Sequence, residues 1–381
     1  MRKKFCLVLV VLCIYLFAYN IYASSIYIPF ARRNISVGII VDVSSVSVGS
    51  SKTFFVSDSS KKKIKLTKGT ITISCCQKGV QIGKYNLSLP IQIKSSNGII
   101  FANSKPYRGY LTIKKIGNKI NVINVLHIED YVKGVLPAEI GTSCDMEALK
   151  VQVIISRTFA LANLGRHANH GFNICSTQHC QVYRGAGVES NRCNKAISET
   201  KNEVLAYDEK LANTFFHANC GGHTESPKHV WNWKNAPSYL KGVKCGYCAK
   251  SPGTNWERVF DESFVREKFS DNNIGKIKKI KVVGKTPGGN AKKIEIIHSK
   301  GNFLLNAYKF RITVDHKQIK SLTFDNIKTN NNKIYFTGRG FGHKVGLCQW
   351  GAKVMAGKGK KYKKILQHYY PKTKITRVNY K

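Results

Sequence analysis

Glu139, in the segment DYVKGVLPAEIG, is the residue whose type and surroundings best suit acid–base chemistry. A carboxyl group that is held rigidly beside a substrate can protonate a leaving oxygen. The competing interpretation is a solvated loop carboxylate, which is the commoner situation for a glutamate. The segment therefore makes Glu139 a candidate general acid, provided that the elements around it hold it in place.

The pattern around Glu139 predicts a short strand or turn that ends at Pro137, then a loop, then a helix that starts near Ser143. Ser143 can cap this helix, and acidic residues follow in its first turn, where the helix dipole favours negative charge. A buried face is predicted by apolar residues at helical spacing, namely Met146, Leu149, Val153, Ala160 and Leu164. A carboxylate just before a buried helix that carries Arg157 would be rigidly mounted.

A second group of chemically active side chains follows this helix, in the segment GRHANHGFNICSTQHCQVYRG. It offers five ligands within fourteen residues: His167, His170, Cys175, His179 and Cys180. Tetrahedral zinc takes four N or S ligands, and we assign His170, rather than His167, to the set with Cys175, His179 and Cys180. The alternative is a disulfide, such as Cys175 to Cys180. Four protein ligands would leave no open position for water, so such a zinc would be structural.

Cys220, Cys245 and Cys248 form another cluster of cysteines. They suit half a zinc site, or one disulfide and a free thiol. We favour a bridge from Cys220 to one member of the CxxC pair.

The first two dozen residues predict export. MRKK supplies positive charge, an apolar run covers residues 5–17, and small residues follow at Ala23, Ser24 and Ser25. The run is shorter than the roughly 20 residues of a spanning helix. We interpret residues 1–25 as a cleaved signal peptide, with an uncleaved anchor as the alternative, and expect a periplasmic, wall-associated or extracellular protein without a transmembrane span.

The formal charge of +41, from 62 Lys and Arg against 21 Asp and Glu, predicts attraction to a polyanion. The basic residues are scattered, and we find no recognition helix or stacking motif for nucleic acid. For an exported protein, the carboxylates and anionic polymers of a cell wall are the simpler partner. The alternative is a solvated, lysine-rich surface without a specific partner.

The mature chain reads as α+β. Residues 26–105 alternate as short strands and predict an accessory β-rich region, and a hairpin around Gly117 leads into an α+β domain, residues 106–381, that contains Glu139. A second amphipathic helix is predicted within residues 188–205. Two glycine-rich segments follow, one with Gly221 and Gly222 and one with His343, where the backbone can approach a ligand closely. Plain turns are the alternative for both.

The segment around Glu139 resembles the family of stage II sporulation protein D (SpoIID) and the amidase enhancer LytB. Members share a Tyr-x-x-Gly-Val-x-Pro-x-Glu stretch and a helix of the form Glu-Ala-Leu-Lys-x-Gln. The matching positions are Tyr131, Gly134, Val135, Pro137 and Glu139, then Glu147, Ala148, Leu149, Lys150 and Gln152. The resemblance continues, in order, through QHCQVYRG (178–185), FFHANCGGHTES (215–226) and GRGFGHKVGLCQWGA (338–352).

The last block departs from the family pattern, Gly-His-Gly-Val-Gly-Met-Ser-Gln. This chain has Lys344, Leu347 and Cys348 at the variant positions, which argues against a hydroxyl role at 348. His343 and Gln349 are retained.

The resemblance implies a peptidoglycan lytic transglycosylase. In that reaction Glu139, with a pKa raised by apolar neighbours, protonates the glycosidic oxygen, and the C6 hydroxyl of N-acetylmuramic acid (MurNAc) attacks to give a 1,6-anhydro end. No cofactor takes part, and the zinc would be structural. The expected substrate-binding residues are Arg157, Gln181, Tyr183, His217, Gly221, Gly222, Thr224, His343 and Gln349.

The alternative from the same resemblance is a non-catalytic wall-binding activator of an N-acetylmuramoyl-L-alanine amidase. Both the transglycosylase and the activator are expected to bind glycan strands. The activator would also bind a wall amidase. Asp130 and Glu225 are further carboxylates, but neither lies in a motif that supports a second catalytic role.

Overall fold

The structure is a computed structural model that describes residues 33–77 and 79–380. The predicted signal peptide, residues 1–25, lies outside the described residues. In the described part of the chain, no helix combines the length and apolar character needed to cross a membrane. Strands in several sheets and helices both occur, so the prediction of a β-rich α+β protein is confirmed.

The elements are numbered in chain order. The strands are β1 (Asn34–Val43), β2 (Ser45–Ser50), β3 (Phe54–Ser57), β4 (Lys63–Leu66), β5 (Gly69–Cys76), β6 (Gly79–Ile82), β7 (Tyr85–Leu87), β8 (Ile91–Ala102), β9 (Lys105–Ile116), β10 (Lys119–His127), β11 (Ile174–Cys175), β12 (Glu203–Tyr207), β13 (Lys210–Leu211), β14 (Phe216–His217), β15 (Asn255–Asp261), β16 (Ile277–Lys285), β17 (Ala291–His298), β18 (Gly301–Asn306), β19 (Phe324–Asn330), β20 (Lys333–Arg339), β21 (Leu347–Cys348) and β22 (Lys374–Arg377). The α-helices are α1 (Ile128–Ile140), α2 (Met146–Ala162), α3 (Asn191–Glu199), α4 (Pro227–Trp231), α5 (Glu262–Glu267), α6 (Ala307–Asp315), α7 (Gln349–Gly357) and α8 (Tyr362–Tyr369).

The chain divides into two compact units. Unit 1 comprises the described residues up to Ser143, Gln152–Asn213 and the segment from Lys374 onward, and unit 2 comprises Cys144–Val151 and Thr214–Thr373. The boundary predicted near residue 105 is not a division of the structure. Residue 105 begins β9, which pairs with β8 on one side and β10 on the other, so one hydrogen-bonded sheet runs through that position.

Unit 1 is built on a sheet of eleven described strands, with the order β11-β1-β10-β9-β8-β2-β5-β6-β7, with β3 paired to β8 and with β4 paired to β3. The predicted hairpin around Gly117 is confirmed, since Ile116 pairs with Lys119 across the β9–β10 turn. A separate three-stranded sheet, β13-β12-β22, brings the end of the described chain back to this unit.

Helix α1 replaces the strand or turn predicted to end at Pro137. It starts after His127, whose Nδ1 accepts a hydrogen bond of 3.1 Å from the Glu129 N–H. The helix runs through Pro137 and ends at Ile140, and the capping residue Gly141 has a φ of 79° and donates its N–H to the Pro137 carbonyl. An internal proline normally disfavours a helix, so the sequence pattern pointed the other way. Burial of the apolar side chains of α1 stabilises the helix despite the proline. These buried residues include Ile128, Tyr131, Val132, Val135 and Leu136.

The next two predicted helices exist with shorter bounds. Helix α2 begins at Met146 rather than near Ser143, and the Asp145 carbonyl accepts from the N–H groups of Ala148 and Leu149. Helix α3 covers Asn191–Glu199 within the predicted 188–205, and the hydroxyl of Ser190 caps it by accepting from the Cys193 N–H.

Unit 2 contains two three-stranded sheets, β15-β20-β19 and β16-β17-β18, and the parallel pair β14-β21. Its main apolar core includes Trp256, Ile294, Phe310 and Phe336. Near the end of the chain, α8 ends at Tyr369 and the chain then forms β22.

Candidate functional site

Glu139 lies in the last turn of α1 and is half-buried. Its Oε1 accepts a hydrogen bond of 2.6 Å from the Val182 N–H. Burial raises the pKa of the Glu139 carboxyl above its usual range, and the hydrogen bond from Val182 opposes that rise because it favours the charged form. The direction agrees with the expectation for a general acid.

Gly134 allows the segment 181–185 to lie directly on α1. A Cβ at Gly134 would come within 2.5 Å of Tyr183 Cε2 and 2.9 Å of the Gly185 carbonyl oxygen. In addition, the Arg184 N–H donates to the Gly134 carbonyl at 3.1 Å. The glycine of the family motif therefore has a packing role one helical turn from Glu139.

Gln181 and Tyr183 are buried rather than displayed to a substrate, which corrects their predicted binding role. Gln181 is 0% exposed, and its Oε1 accepts a hydrogen bond of 3.1 Å from the Tyr131 hydroxyl. Tyr183 packs its ring 5.2 Å from that of Tyr131 and donates its hydroxyl to Asn124 at 2.7 Å. Both side chains position the segment that reaches Glu139.

Arg157 was also expected to bind substrate, and the structure corrects this. Its side chain is 0% exposed, with Nε and Nη2 donating to the two carboxylate oxygens of Glu129 at 2.8 and 2.7 Å. Its Nη1 donates to the Glu203 carbonyl at 2.8 Å. The guanidinium therefore ties α2 to α1 and β12 within unit 1 and is not accessible to a ligand.

The structure brings together three of the four predicted metal ligands, and a different histidine takes the fourth place. Donor atoms of His167, Cys175, His179 and Cys180 all lie within 4.8 Å of one another. His167 takes the place that we assigned to His170, since the turn at residues 168–170 leaves the His170 ring exposed beside Phe172. Spacing along the chain could not separate the two histidines.

The distances in this cluster fit a tetrahedral ion. His167 Nε2 lies 3.2 Å from His179 Nδ1 and 3.4 Å from Cys180 Sγ, and His179 Nδ1 lies 3.7 Å from Cys175 Sγ. Zinc with Zn–N bonds of about 2.0 Å and Zn–S bonds of about 2.3 Å would have donor separations of about 3.3–3.8 Å. The residues present therefore suit a structural zinc.

The cluster is tied to both the sheet and the acid. Strand β11 ends with Cys175 and pairs in parallel with β1, where Gly38 faces Cys175. Cys180 lies two residues before Val182, whose N–H contacts Glu139, and the Tyr183 N–H donates to the Ser176 carbonyl at 3.1 Å. A metal ion that held these four side chains together would consequently also hold the Val182 N–H in place against the Glu139 carboxylate.

In unit 2, His343 lies half-buried in an aromatic environment. Its ring centroid is 5.1 Å from that of Trp231, 5.6 Å from that of His217 and 6.4 Å from that of Phe215. Its Nδ1 accepts a hydrogen bond of 3.0 Å from the Val345 N–H. Burial lowers the pKa of His343 to about 4, so the ring is neutral at pH 7 and carries its hydrogen on Nε2.

His217 is buried behind His343. Its Nδ1 lies 3.2 Å from the Val345 carbonyl and must donate to it, which leaves Nε2 as an acceptor. That Nε2 has no hydrogen-bond partner among the described residues. Burial holds the pKa of His217 well below its usual value.

The remaining predicted contact residues of unit 2 divide by exposure. Gly221 and Gly222 form a half-buried turn with φ values of 65° and 111°, and a Cβ at Gly222 would meet open space. Thr224 is buried, with its hydroxyl accepting from the Val243 N–H at 2.7 Å, and Gln349 is buried at the start of α7. The turn, but not Thr224 or Gln349, therefore suits contact with a ligand.

Two features of unit 2 were missed by the sequence analysis. Lys344 is 1% exposed and donates from Nζ to the Gly288 carbonyl and the Thr323 hydroxyl at 2.9 and 2.7 Å. Cys348 joins the cysteine cluster of Cys220 and the CxxC pair. Both residues occupy positions at which the last family block departs from the family pattern. That departure was the feature of the sequence that could have pointed to them.

The disulfide expected between Cys220 and one member of the CxxC pair is not formed, since all the cysteines that the structure describes are free.

Comparisons with known proteins agree with these motifs. The family model described as "Stage II sporulation protein" matches residues 116–207, which include Glu139, Arg157 and the histidine–cysteine cluster. A second model, described as a domain of unknown function (DUF8618), matches residues 255–346.

Similar proteins cover most of the chain. An uncharacterized protein of Brachyspira hyodysenteriae is 34% identical over 280 residues, 73% of this chain and 74% of that protein. Stage II sporulation protein D of Bacillus subtilis is 29% identical over 66% of this chain and 75% of its own length. The amidase enhancer of Bacillus subtilis is 28% identical over 64% of this chain and 40% of its own length. The chain therefore belongs to the SpoIID/LytB family.

Proposed function

We propose that the protein acts on the bacterial cell wall as a peptidoglycan lytic transglycosylase. The observation that carries the proposal is the state of Glu139, a half-buried carboxyl in the last turn of α1 that accepts a hydrogen bond from the Val182 N–H and has a pKa raised by burial. Similarity to proteins named for sporulation and for amidase enhancement supports the wall as the place of action.

In this reaction Glu139 first donates its proton to the oxygen of the MurNAc–GlcNAc bond. The C6 hydroxyl of the same MurNAc attacks the anomeric carbon, and Glu139 then accepts the hydroxyl proton. The product carries a 1,6-anhydroMurNAc end. The reaction consumes no water and needs no second carboxylate. A raised pKa suits this role because the carboxyl must begin in its protonated form.

The chain's own residues set the geometry of this acid. The Val182 N–H stays in contact with the carboxylate and stabilises it after proton transfer, when the negative charge is present. A structural zinc on His167, Cys175, His179 and Cys180 would hold Val182 in place. It takes no part in the bond cleavage.

Export to the periplasm, cell wall or exterior is part of the proposal, since the substrate lies there. The charge of +41 would favour retention on a wall that carries carboxylates.

A second candidate function is that of a non-catalytic activator of a wall amidase. The similarity to a protein named amidase enhancer favours it. An activator would bind glycan strands and an amidase without using the proton of Glu139.

The test uses purified glycan strands, both intact and stripped of stem peptides by an amidase. Mass spectrometry of the products should show 1,6-anhydroMurNAc ends from wild type, more of them from stripped strands, and none from Glu139→Gln. The variant Asp130→Asn is a matched control on the same helix, because Asp130 forms a half-exposed ion pair with Lys133 at 2.7 Å, and it should retain activity.

If wild type binds strands and releases no anhydro ends from either substrate, the transglycosylase proposal fails. Addition of a wall amidase would then test the alternative, since an activator must increase the release of stem peptides, and Glu139→Gln must increase it equally.

A further inference from the structure

Four buried cysteines of unit 2 meet at one point. Cys220, Cys245, Cys248 and Cys348 are each at most 1% exposed, and their sulfurs all lie within 4.8 Å of one another. The histidine–cysteine cluster belongs to unit 1, so this is a separate group of ligands in the other compact unit.

The tertiary structure assembles the four cysteines from three segments. Strands β14 and β21 pair in parallel, with His217 opposite Cys348, so that Cys220 follows β14 close to the end of β21. The Cys245 N–H donates to the Gly222 carbonyl at 2.9 Å, which fastens the CxxC segment to the glycine turn. These backbone contacts place the sulfurs independently of any bond between them.

The separation of the sulfurs fits a tetrahedral ion rather than a disulfide. Cys220 Sγ and Cys248 Sγ are 3.4 Å apart. A disulfide requires about 2.05 Å, whereas sulfurs around one zinc at about 2.3 Å each are about 3.8 Å apart.

The surroundings of the sulfurs suit thiolates. The N–H groups of Cys220 and Gly351 both donate to Cys348 Sγ at 3.3 Å, and the Tyr369 hydroxyl lies 3.1 Å from Cys245 Sγ. Cys348 is also the N-cap of α7, where the helix dipole favours negative charge. The buried ammonium of Lys344 interacts with Cys220 and Cys248. Donors and positive charge of this kind accompany metal-bound sulfur.

We infer that Cys220, Cys245, Cys248 and Cys348 bind a second, structural zinc ion. A tetrahedral set of four thiolates selects zinc or iron, and four protein ligands leave no position for a substrate or water. The ion would lock the Gly221–Gly222 turn, the CxxC segment and the start of α7 together. This inference does not depend on the proposed activity.

The first experiment is zinc analysis of the full chain purified without chelator. With the two clusters filled, wild type should contain about two zinc ions per chain. Cys248→Ser and Cys175→Ser, one in each cluster, should each reduce the content by about one ion. Cys193→Ser is the control, because this buried cysteine belongs to neither cluster and should leave the content unchanged.

A second measurement covers the case in which Cys248→Ser does not fold. X-ray absorption of zinc in the Cys175→Ser protein reports the remaining site, and it should show four sulfur neighbours at about 2.3 Å. Peptide mapping without reduction should recover all four cysteines as thiols.

The inference is overturned if zinc disappears from Cys175→Ser, if iron is found in its place, or if mapping shows the four cysteines in disulfides. A failure of the glycan assay would leave these results unaffected.

Discussion

Glu139 Oε1 accepts a hydrogen bond from the Val182 N–H at 2.6 Å, and this contact joins the last turn of α1 to the segment that follows the histidine–cysteine cluster. Burial and this donor act on the carboxyl in opposite directions, and burial is the larger effect.

Activity should depend on pH through Glu139. Because the acid must be protonated, kcat/KM should fall as pH rises through a pKa that lies above the ordinary 4.5. The folded state holds this proton more tightly than the unfolded state, so the same group stabilises the fold below pH 4.5 and loses that contribution as pH rises through the folded pKa. A pH–rate profile with wild type, and unfolding curves that compare wild type with Glu139→Gln, measure both. A descending limb at or below 4.5 would contradict the prediction.

Gly134→Ala should destabilise unit 1. The new Cβ would collide with the Tyr183 ring and the Gly185 carbonyl, and overpacking of this kind costs about 1–3 kcal/mol in the free energy of unfolding. Denaturant unfolding measures the loss. Gly165→Ala is the matched control, because a Cβ there meets nothing within 4 Å, and it should change stability little.

Arg157→Met should weaken the fold rather than substrate binding. Removal of one partner of a buried ion pair leaves the Glu129 carboxylate uncompensated, at a cost of about 3–5 kcal/mol in unfolding free energy. The double variant with Glu129→Met should recover much of the loss. Lys133→Met, at the half-exposed ion pair with Asp130, should cost less than about 1 kcal/mol. A raised KM with unchanged stability would instead restore the substrate-binding role.

Variants of His167 and His170 test which of these histidines completes the histidine–cysteine cluster. His167→Ala should remove about one zinc ion per chain and lower activity by loosening Val182, because a ligand is lost. His170→Ala should retain both, since its ring lies outside the cluster. Metal analysis and the glycan assay give the two readouts, and the opposite pattern would return His170 to the set.

His343 should remain neutral through the physiological range. With a pKa of about 4 when folded, against 6.5 when unfolded, it binds a proton less readily in the native state. Its contribution to stability is therefore present above pH 6.5 and is lost as pH falls toward 4. Nuclear magnetic resonance titration of the ring checks the pKa, and His343→Phe should flatten the pH dependence of unfolding in this range. Titration near 6.5 would show that the ring is solvated.

Much of the architecture was predictable because it depends on local pattern. Alternating apolar residues predicted short strands in residues 26–105, of which the structure describes β1 to β8 from Asn34 onward, and the Gly117 turn predicted the β9–β10 hairpin. Helix α1 was missed because Pro137 argues locally against a helix, whereas burial of its apolar face outweighs that cost. At residue 105, where a boundary was expected, the sheet continues, because β8 and β9 form a hairpin in which Ala102 pairs with Lys105.

The sequence by itself determined the family motifs, the position of Glu139, the net charge and the supply of ligands for metal. Only the tertiary structure decided which of these side chains meet. It selected His167 over His170, turned Arg157, Gln181 and Tyr183 inward, and added Cys348 to Cys220 and the CxxC pair. The physical reason is that ligation and burial depend on distances through space, which strand pairing and helix packing set between segments far apart in the chain.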